Sequence, residues 1–300
     1  MTVHSLIGVD LGSATVKVVE LERAEGRILL RRCAIEAAEH TNSAESLKQF
    51  LQQVGITTQD VALGVASPEV VVKPFEFPSL PKKELMKALQ LEAEQAILNG
   101  HAVSQMAIDW HFFPAAGKEN IRGLLSVVPN TVVNSRLQRA KAAGLQPKVV
   151  DVEGLALWNA YWVLEASHDA TPKTVFLLNV GAKTSNLMIA KGPDALILVR
   201  DIQLGGQALA KGLEKDWLSE VRDSLGYARS KGLRVLDEVL VSGGGISKGL
   251  AGLIAPVVNA PVKLWNPLDH LQRSAHSPSV DASIGPLLAV AVGLALRPPS

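Results

Sequence analysis

The residues best equipped for chemistry lie near the start, in Asp10-Leu11-Gly12-Ser13-Ala14-Thr15-Val16-Lys17. A carboxylate, a glycine and two hydroxyls fall in one short turn between two apolar, β-prone runs, and Lys17 follows in the second run. Glycine lets the backbone turn sharply and lets a bulky anion approach. Successive N–H groups in such a turn form a nest suited to phosphate oxygens. Asp10, at the end of the first apolar run, is placed to hold a metal ion or its water shell. Two readings stay open for the turn: a nucleotide loop, or a hairpin in which Asp10 caps local N–H groups. Lys17 likewise either points at a cleft or lies on a solvated strand face.

The pattern returns. Leu177-Leu178-Asn179-Val180-Gly181-Ala182-Lys183-Thr184-Ser185-Asn186 repeats the apolar-(Asp/Asn)-x-Gly-x-x-Thr order in the other half of the chain. A third strand–loop–helix signal follows at Glu238–Ser242, Gly243-Gly244-Gly245 and the stretch from Ser247 to about Ile254. Two hairpins and a glycine loop in this order imply two α/β lobes with phosphate loops facing each other across a cleft.

The elements that must position these loops can be read from periodicity. Ser5–Asp10, Ala14–Arg23 and Arg27–Ala34 are predicted strands. Ser43–Val54 is a predicted helix with Leu47, Phe50, Leu51 and Val54 on one face, and Thr41–Ser43 offers N-cap residues. Val61–Ala66 is a fourth strand, and the proline-rich 73–81 reads as a connector. A helix from Pro81 to about Asn99, an antiparallel pair at Ala107–Phe113 and Ile121–Val128, and a helix at Thr131–Ala143 suggest an α+β unit over 81–147. Val149–Val150 is strand-like and Asp151–Ala166 helical, with Trp158, Tyr161 and Trp162 at core or interface spacing. Thr174–Lys191 and Ala195–Ile202 are strands, Trp217–Lys231 is an amphipathic helix, and Ile284–Leu296 is an apolar helix.

Composition narrows the classes. The chain has 300 residues, 47% of them hydrophobic and 4% aromatic, enough for a core of Leu, Val and Ala over about two domains. A net charge of +1 gives no bulk electrostatic case for nucleic acid or direct membrane insertion. No apolar run reaches a membrane-spanning length, and the N-terminus enters a strand pattern without a signal-peptide layout, so a cytoplasmic setting is expected. Cys33 is the only cysteine, which excludes an internal disulfide and a thiolate zinc site. The seven histidines show no paired metal-ligand spacing.

The ordered set Asp10–Lys17, Val180–Thr184 and Leu240–Gly245 resembles the phosphate-1, phosphate-2 and adenosine motifs of the actin-like ATPase superfamily. Leu80–Leu85, Val150–Leu157, Arg200–Gly206 and Pro261–Pro267, in this order, are similar to the PilM family of type IV pilus assembly, a relative of FtsA. The resemblance implies an α/β, two-lobed actin-like ATPase fold with ribonuclease H-like halves. It implies a first lobe at 1–80 completed by about 148–172 and the C-terminal helix of 284–300. An α+β subdomain would be inserted at 81–147 and a second lobe would span 173–283. The second lobe's small subdomain is largely missing at about 213–234, which would leave the adenine side open.

The site implied by the resemblance comprises Asp10, Gly12, Ser13, Ala14, Thr15, Lys17, Asn179, Gly181, Lys183, Thr184, Gly243, Gly244 and Gly245 for ATP. Asp10 would serve Mg2+, and Glu153 would be the acid that orients the attacking water. Asn179 stands where the superfamily carries an aspartate, which puts hydrolysis in doubt. Glu153 is then better read as a helix first-turn acid and Lys183 as a solvated turn lysine. The implied role is a cytoplasmic scaffold at the inner face of the inner membrane that binds the tail of a PilN-like single-span protein. Pilus motor components and a homodimer are further partners it implies. An ATP-binding switch or slow Mg-ATPase is the alternative.

Overall fold

The computed structural model describes residues 4–24, 26–97, 100–114, 120–166, 171–247, 249–274, 277 and 281–297. Its organising feature is a repeated strand order. β1 (His4–Leu11), β2 (Thr15–Ala24), β3 (Arg27–Ala37), β4 (Asp60–Val65) and β8 (Gln146–Val152) line up as β3-β2-β1-β4-β8, with β14 (Gln272–Arg273) added beside β3. β9 (Thr174–Val180), β10 (Ser185–Lys191), β11 (Leu196–Ile202), β12 (Glu238–Ser242) and β13 (Val262–Leu264) line up as β11-β10-β9-β12-β13. Each sheet is an antiparallel three-strand meander continued by two parallel strands. The echo between the two hairpin motifs is therefore an echo of two whole sheets.

The helices are amphipathic or wholly buried according to their place. α1 (Ala44–Gln53) starts where Ser43 Oγ accepts the Ser46 N–H and buries Leu47, Phe50 and Leu51. α4 (Glu153–Leu164) and α8 (Ala289–Ala295) have backbones in contact, since a Cβ on Gly293 would collide with the Ala156 carbonyl; α8 also lies against β1, where a Cβ on Gly8 would collide with the Ala291 carbonyl. The C-terminal segment thus closes the first sheet, which is why every residue of α8 is buried. α6 (Glu214–Ser230) buries Trp217, Leu218, Val221 and Leu225 against the second sheet, and α5 (Gly206–Leu209) is a single turn before it.

A third, three-stranded sheet has the order β5-β7-β6, from β5 (Val71–Pro78), β7 (Asn120–Pro129) and β6 (Met106–Phe112). α2 (Lys82–Ala96) packs Leu85, Leu89 and Ala93 on it, and α3 (Asn130–Ala142) leads back to the first sheet.

Several predicted elements need correction. Residues 73–78 belong to β5 and are not a connector; Pro74 and Pro78 are tolerated because β5 is an edge strand. Asp151 lies in β8, which runs to Val152, and does not open a helix. α7 runs Leu250–Val258, longer than expected. The C-terminal helix is split into a 3-10 stretch at Ala282–Leu288, which contains Gly285 and Pro286, and then α8. Asn99, His168, His276 and residues 298–300 lie outside the described residues. No described helix is long and apolar enough to cross a membrane.

Candidate functional site

The two hairpin turns are built alike. At Gly12 an added Cβ would come within 2.7 Å of the Thr15 carbonyl, and at Gly181 within 2.8 Å of the Thr184 carbonyl. The Gly181 N–H donates to the Thr184 carbonyl at 2.9 Å. In each turn the threonine three residues on fixes why only glycine fits. Asp10 and Lys17 are register partners across β1 and β2, and Lys17 Nζ donates to Asp10 Oδ2 at 2.8 Å. Lys17 therefore faces its carboxylate and not solvent; its side chain is 11% exposed. Arg136, on α3, donates to the Leu11 carbonyl at 2.7 Å and holds the first turn from outside.

The glycine motif docks on the second turn. Gly243 has φ +105°, and a Cβ there would strike the Val180 carbonyl. The Gly245 N–H donates to that same carbonyl at 2.8 Å. Gly206 and Gln207 donate their N–H groups to the Gly181 and Ala182 carbonyls at 2.8 and 2.9 Å. These contacts wall a cavity of about 630 Å3 lined by Ala14, Ala182, Gly206, Gly244, Gly245 and Leu253, among others. The structure thus brings residues of all three motifs to one cleft. Ser13 and Lys183 are exposed, and Thr15 and Thr184 are half-buried.

Asn179 belongs to something the sequence reading missed. Ser242, Asn179, Asn186 and Asp201 are register partners across β12, β9, β10 and β11. Their side chains form one row. Ser242 Oγ donates to Asn179 Oδ1 at 3.3 Å, Asn179 Nδ2 to Asn186 Oδ1 at 2.8 Å, and Asn186 Nδ2 to Asp201 Oδ1 at 2.8 Å. The row then leaves the sheet: the Ser67 N–H, beyond β4, donates to Asp201 Oδ2 at 2.9 Å. Asn186 Nδ2 also donates to Glu153 Oε2 at 3.2 Å. Asn179, Asn186, Asp201 and Ser242 are each buried polar residues in otherwise largely apolar strands, and no local pattern in the sequence aligns them.

Burial, then the charges of Asp10 and Asp201, push the Glu153 carboxyl up to about 8, against the pull of Arg136 and Lys17. Burial raises Asp201 to about 6 although Asn186 and Ser67 donate to it. Glu153 is thus largely protonated at neutral pH. Among the described residues no group of three His, Cys, Asp or Glu is arranged to hold a metal.

A second concavity, of about 670 Å3, lies where α4 faces the third sheet. Trp158, Trp162, Leu155, Val133 and Leu124 give it apolar walls, and Asp151 lies at its floor. Trp158 stacks on Tyr161 and tilts against Trp162, with ring centroids 5.9 and 5.7 Å apart. Burial raises the Asp151 carboxyl, which keeps Arg297 Nε at 3.3 Å and accepts from Asn159 Nδ2 at 3.2 Å.

The model of the family described as type IV pilus assembly protein PilM matches residues 8–218. Among solved structures, the PilM-PilN type IV pilus biogenesis complex matches with a TM-score of 0.80 at 23% identity, covering 97% of this chain and 98% of that one. A Bacteroides thetaiotaomicron protein with an actin-like ATPase fold and unknown function matches with a TM-score of 0.50 at 8% identity, over 86% and 90%. The ethanolamine utilization protein EutJ from Carboxydothermus hydrogenoformans matches with a TM-score of 0.51 at 12% identity, over 99% and 90%. The fold is that of the actin-like ATPases, as the two repeated sheets required.

Proposed function

The chain belongs to the PilM family of type IV pilus assembly proteins, and from that premise we propose that it is a scaffold which binds the cytoplasmic tail of a PilN-like membrane protein. The observation that carries this reading is the concavity between α4 and the third sheet. It is mainly apolar, is walled by Trp158 and Trp162, and among the described residues nothing fills it. Such a groove suits an extended peptide with apolar anchors. Support for the partner's identity comes from the likeness to a PilM-PilN complex. We read the third sheet with α2 as the inserted subdomain and the short α5–α6 segment as the reduced one.

The nucleotide cleft is proposed to bind and not to hydrolyse. Its size and its lining by Ala14 and Ala182 of the two turns and by Gly206, Gly244, Gly245 and Gly249 suit a nucleoside phosphate. The donor set does not suit a divalent cation. Asp10 is bound to Lys17, and both polar atoms of the Asn179 carboxamide are taken by Asn186 and Ser242. The alternative, a slow Mg-ATPase, needs the charge that this arrangement lacks.

The test is calorimetry of the full chain with a synthetic peptide of the PilN-like tail, with wild type and Trp158→Ala side by side. Stoichiometric binding that the variant loses by tenfold or more is expected. An absence of heat with the wild type overturns the scaffold reading.

A further inference from the structure

The exposed strand β6 separates two cavities. Period-two alternation puts Met106, Ile108 and Trp110 on the face toward α2, and Ala107, Asp109 and His111 on the face toward α4. On the α4 side lies the tryptophan groove. On the α2 side lies a second groove, of about 720 Å3, between Ile108 and Trp110 and the helix residues Lys82, Lys83, Met86 and Lys87. Ile108 and Trp110 border both, so the two grooves meet at this strand.

Among the described residues the strand's outer edge is open: in the order β5-β7-β6 it pairs with β7 alone. The Phe113 N–H donates to the Arg122 carbonyl at 2.9 Å. Because hydrogen-bonded residues alternate in an antiparallel pair, Ala107, Asp109 and His111 direct their backbone groups at β7, and Ile108 and Trp110 direct theirs outward. Trp110 agrees: its N–H is taken by its neighbour's carboxylate, Asp109 Oδ1, at 2.8 Å. An unpaired edge is a template for another strand, and a local side-chain cap is one way to blunt it. Lys82, Lys83 and Lys87 are exposed and enter no ion pair among the described residues.

We propose that β6 is a strand-addition edge: an extended segment of the PilN-like tail hydrogen-bonds to the outward groups of Ile108 and Trp110. Its side chains alternate, apolar ones entering the groove of Trp158 and Trp162 and acidic ones lying over Lys82, Lys83 and Lys87. The proposal rests on the reading of the tryptophan groove as the tail site, and adds how the tail is held and what sequence pattern is selected. Main-chain pairing supplies affinity that is indifferent to sequence, and the two grooves supply the selection. Asp109 gives up the Trp110 amide to the incoming carbonyl, which makes it the gate of the edge.

The experiment is amide-resolved hydrogen exchange on the full chain, with and without a synthetic peptide of the PilN-like tail. Exchange at Ile108 and Trp110 should slow at least tenfold on binding. Ala107, Asp109 and His111, already paired with β7, should change little. The triple variant Lys82→Glu/Lys83→Glu/Lys87→Glu, which alters only exposed positions, should weaken binding at least tenfold at low salt. Binding that is lost in Trp158→Ala while Ile108 and Trp110 stay unprotected leaves the groove reading standing and overturns strand addition. Protection without sensitivity to the lysines overturns the acidic pattern. Protection that follows the chain's own concentration, without peptide, makes the occupant a second copy and overturns the tail. No binding at all removes both readings.

Discussion

Asn186 stands directly opposite Asn179 in the β9–β10 ladder and accepts its amide hydrogen at 2.8 Å, while passing its own amide to Asp201 and Glu153. The direction of this row is fixed by chemistry. Asn179 must donate, because Asn186 turns its own amide N–H to the Asp201 carboxylate and so presents its carbonyl to Asn179. An aspartate at 179 would present an acceptor to an acceptor. Asn179→Asp is therefore expected to cost about 1–3 kcal/mol. Thermal unfolding measures the loss. Part of it should return with Mg2+ and ATP together, since the new carboxylate also supplies the negative charge that a divalent cation needs. An unchanged melting temperature would show that the row does not carry load.

The row makes stability depend on pH with a definite sign. Glu153 at about 8 and Asp201 at about 6 lie above the unfolded carboxyl range near 4. The native state then holds more protons than the unfolded state in that window. The contribution is complete below about pH 4 and is lost as pH rises through 6 and then 8, by at most about 1.4 kcal/mol per pH unit for each proton. Urea unfolding across this range should show stability falling with pH. Asp201→Asn should flatten the lower part of the decline and Glu153→Gln the upper part.

Lys17 and Asp10 form a nearly buried ion pair, with side chains 11% and 8% exposed. Removing only one partner leaves an unpaired charge next to Glu153, and Lys17→Met is expected to cost about 3–5 kcal/mol. The double variant Asp10→Asn/Lys17→Met should recover most of that. A double-mutant cycle by chemical denaturation checks it; additive losses would show that the two side chains do not pair. Nucleotide affinity should fall in both variants, because each removes the Lys17 cation beside the first turn.

Much of the fold was legible because it is written in local pattern. The two hairpins, the glycine turns and the amphipathic faces of α1 and α6 follow from residue type and spacing, and the structure places them as read. The family resemblance and the actin-like fold followed from motif order. What escaped depends on register between strands distant in sequence. Nothing local to Asn186 or Asp201 says that they align with Asn179, or that Ser67 reaches across to them. β5 was misread because Pro74 and Pro78 speak against a strand unless its edge position is known. The tryptophan groove was invisible for the same reason: Trp158 and Trp162 gave helical spacing, but the opposite wall comes from β6 and β7.

The contact of α4 and α8 gives the last prediction. A Cβ on Gly293 would run into the Ala156 carbonyl, a backbone atom that cannot rotate away. Gly293→Ala is expected to destabilise by about 3 kcal/mol, the upper end of ordinary overpacking. Gly226, inside α6, has open space around its would-be Cβ. Gly226→Ala should instead stabilise by about 0.5–1 kcal/mol through helix propensity. Denaturant midpoints of the two variants measure the contrast, and a tolerated Gly293→Ala would mean that the helices are not in backbone contact. The same shift has a functional reading. α4 carries Trp158 and Trp162, so forcing it off α8 narrows the tail groove. Gly293→Ala should weaken the tail peptide severalfold at a temperature where the variant is still folded, whereas Gly226→Ala should leave that affinity unchanged.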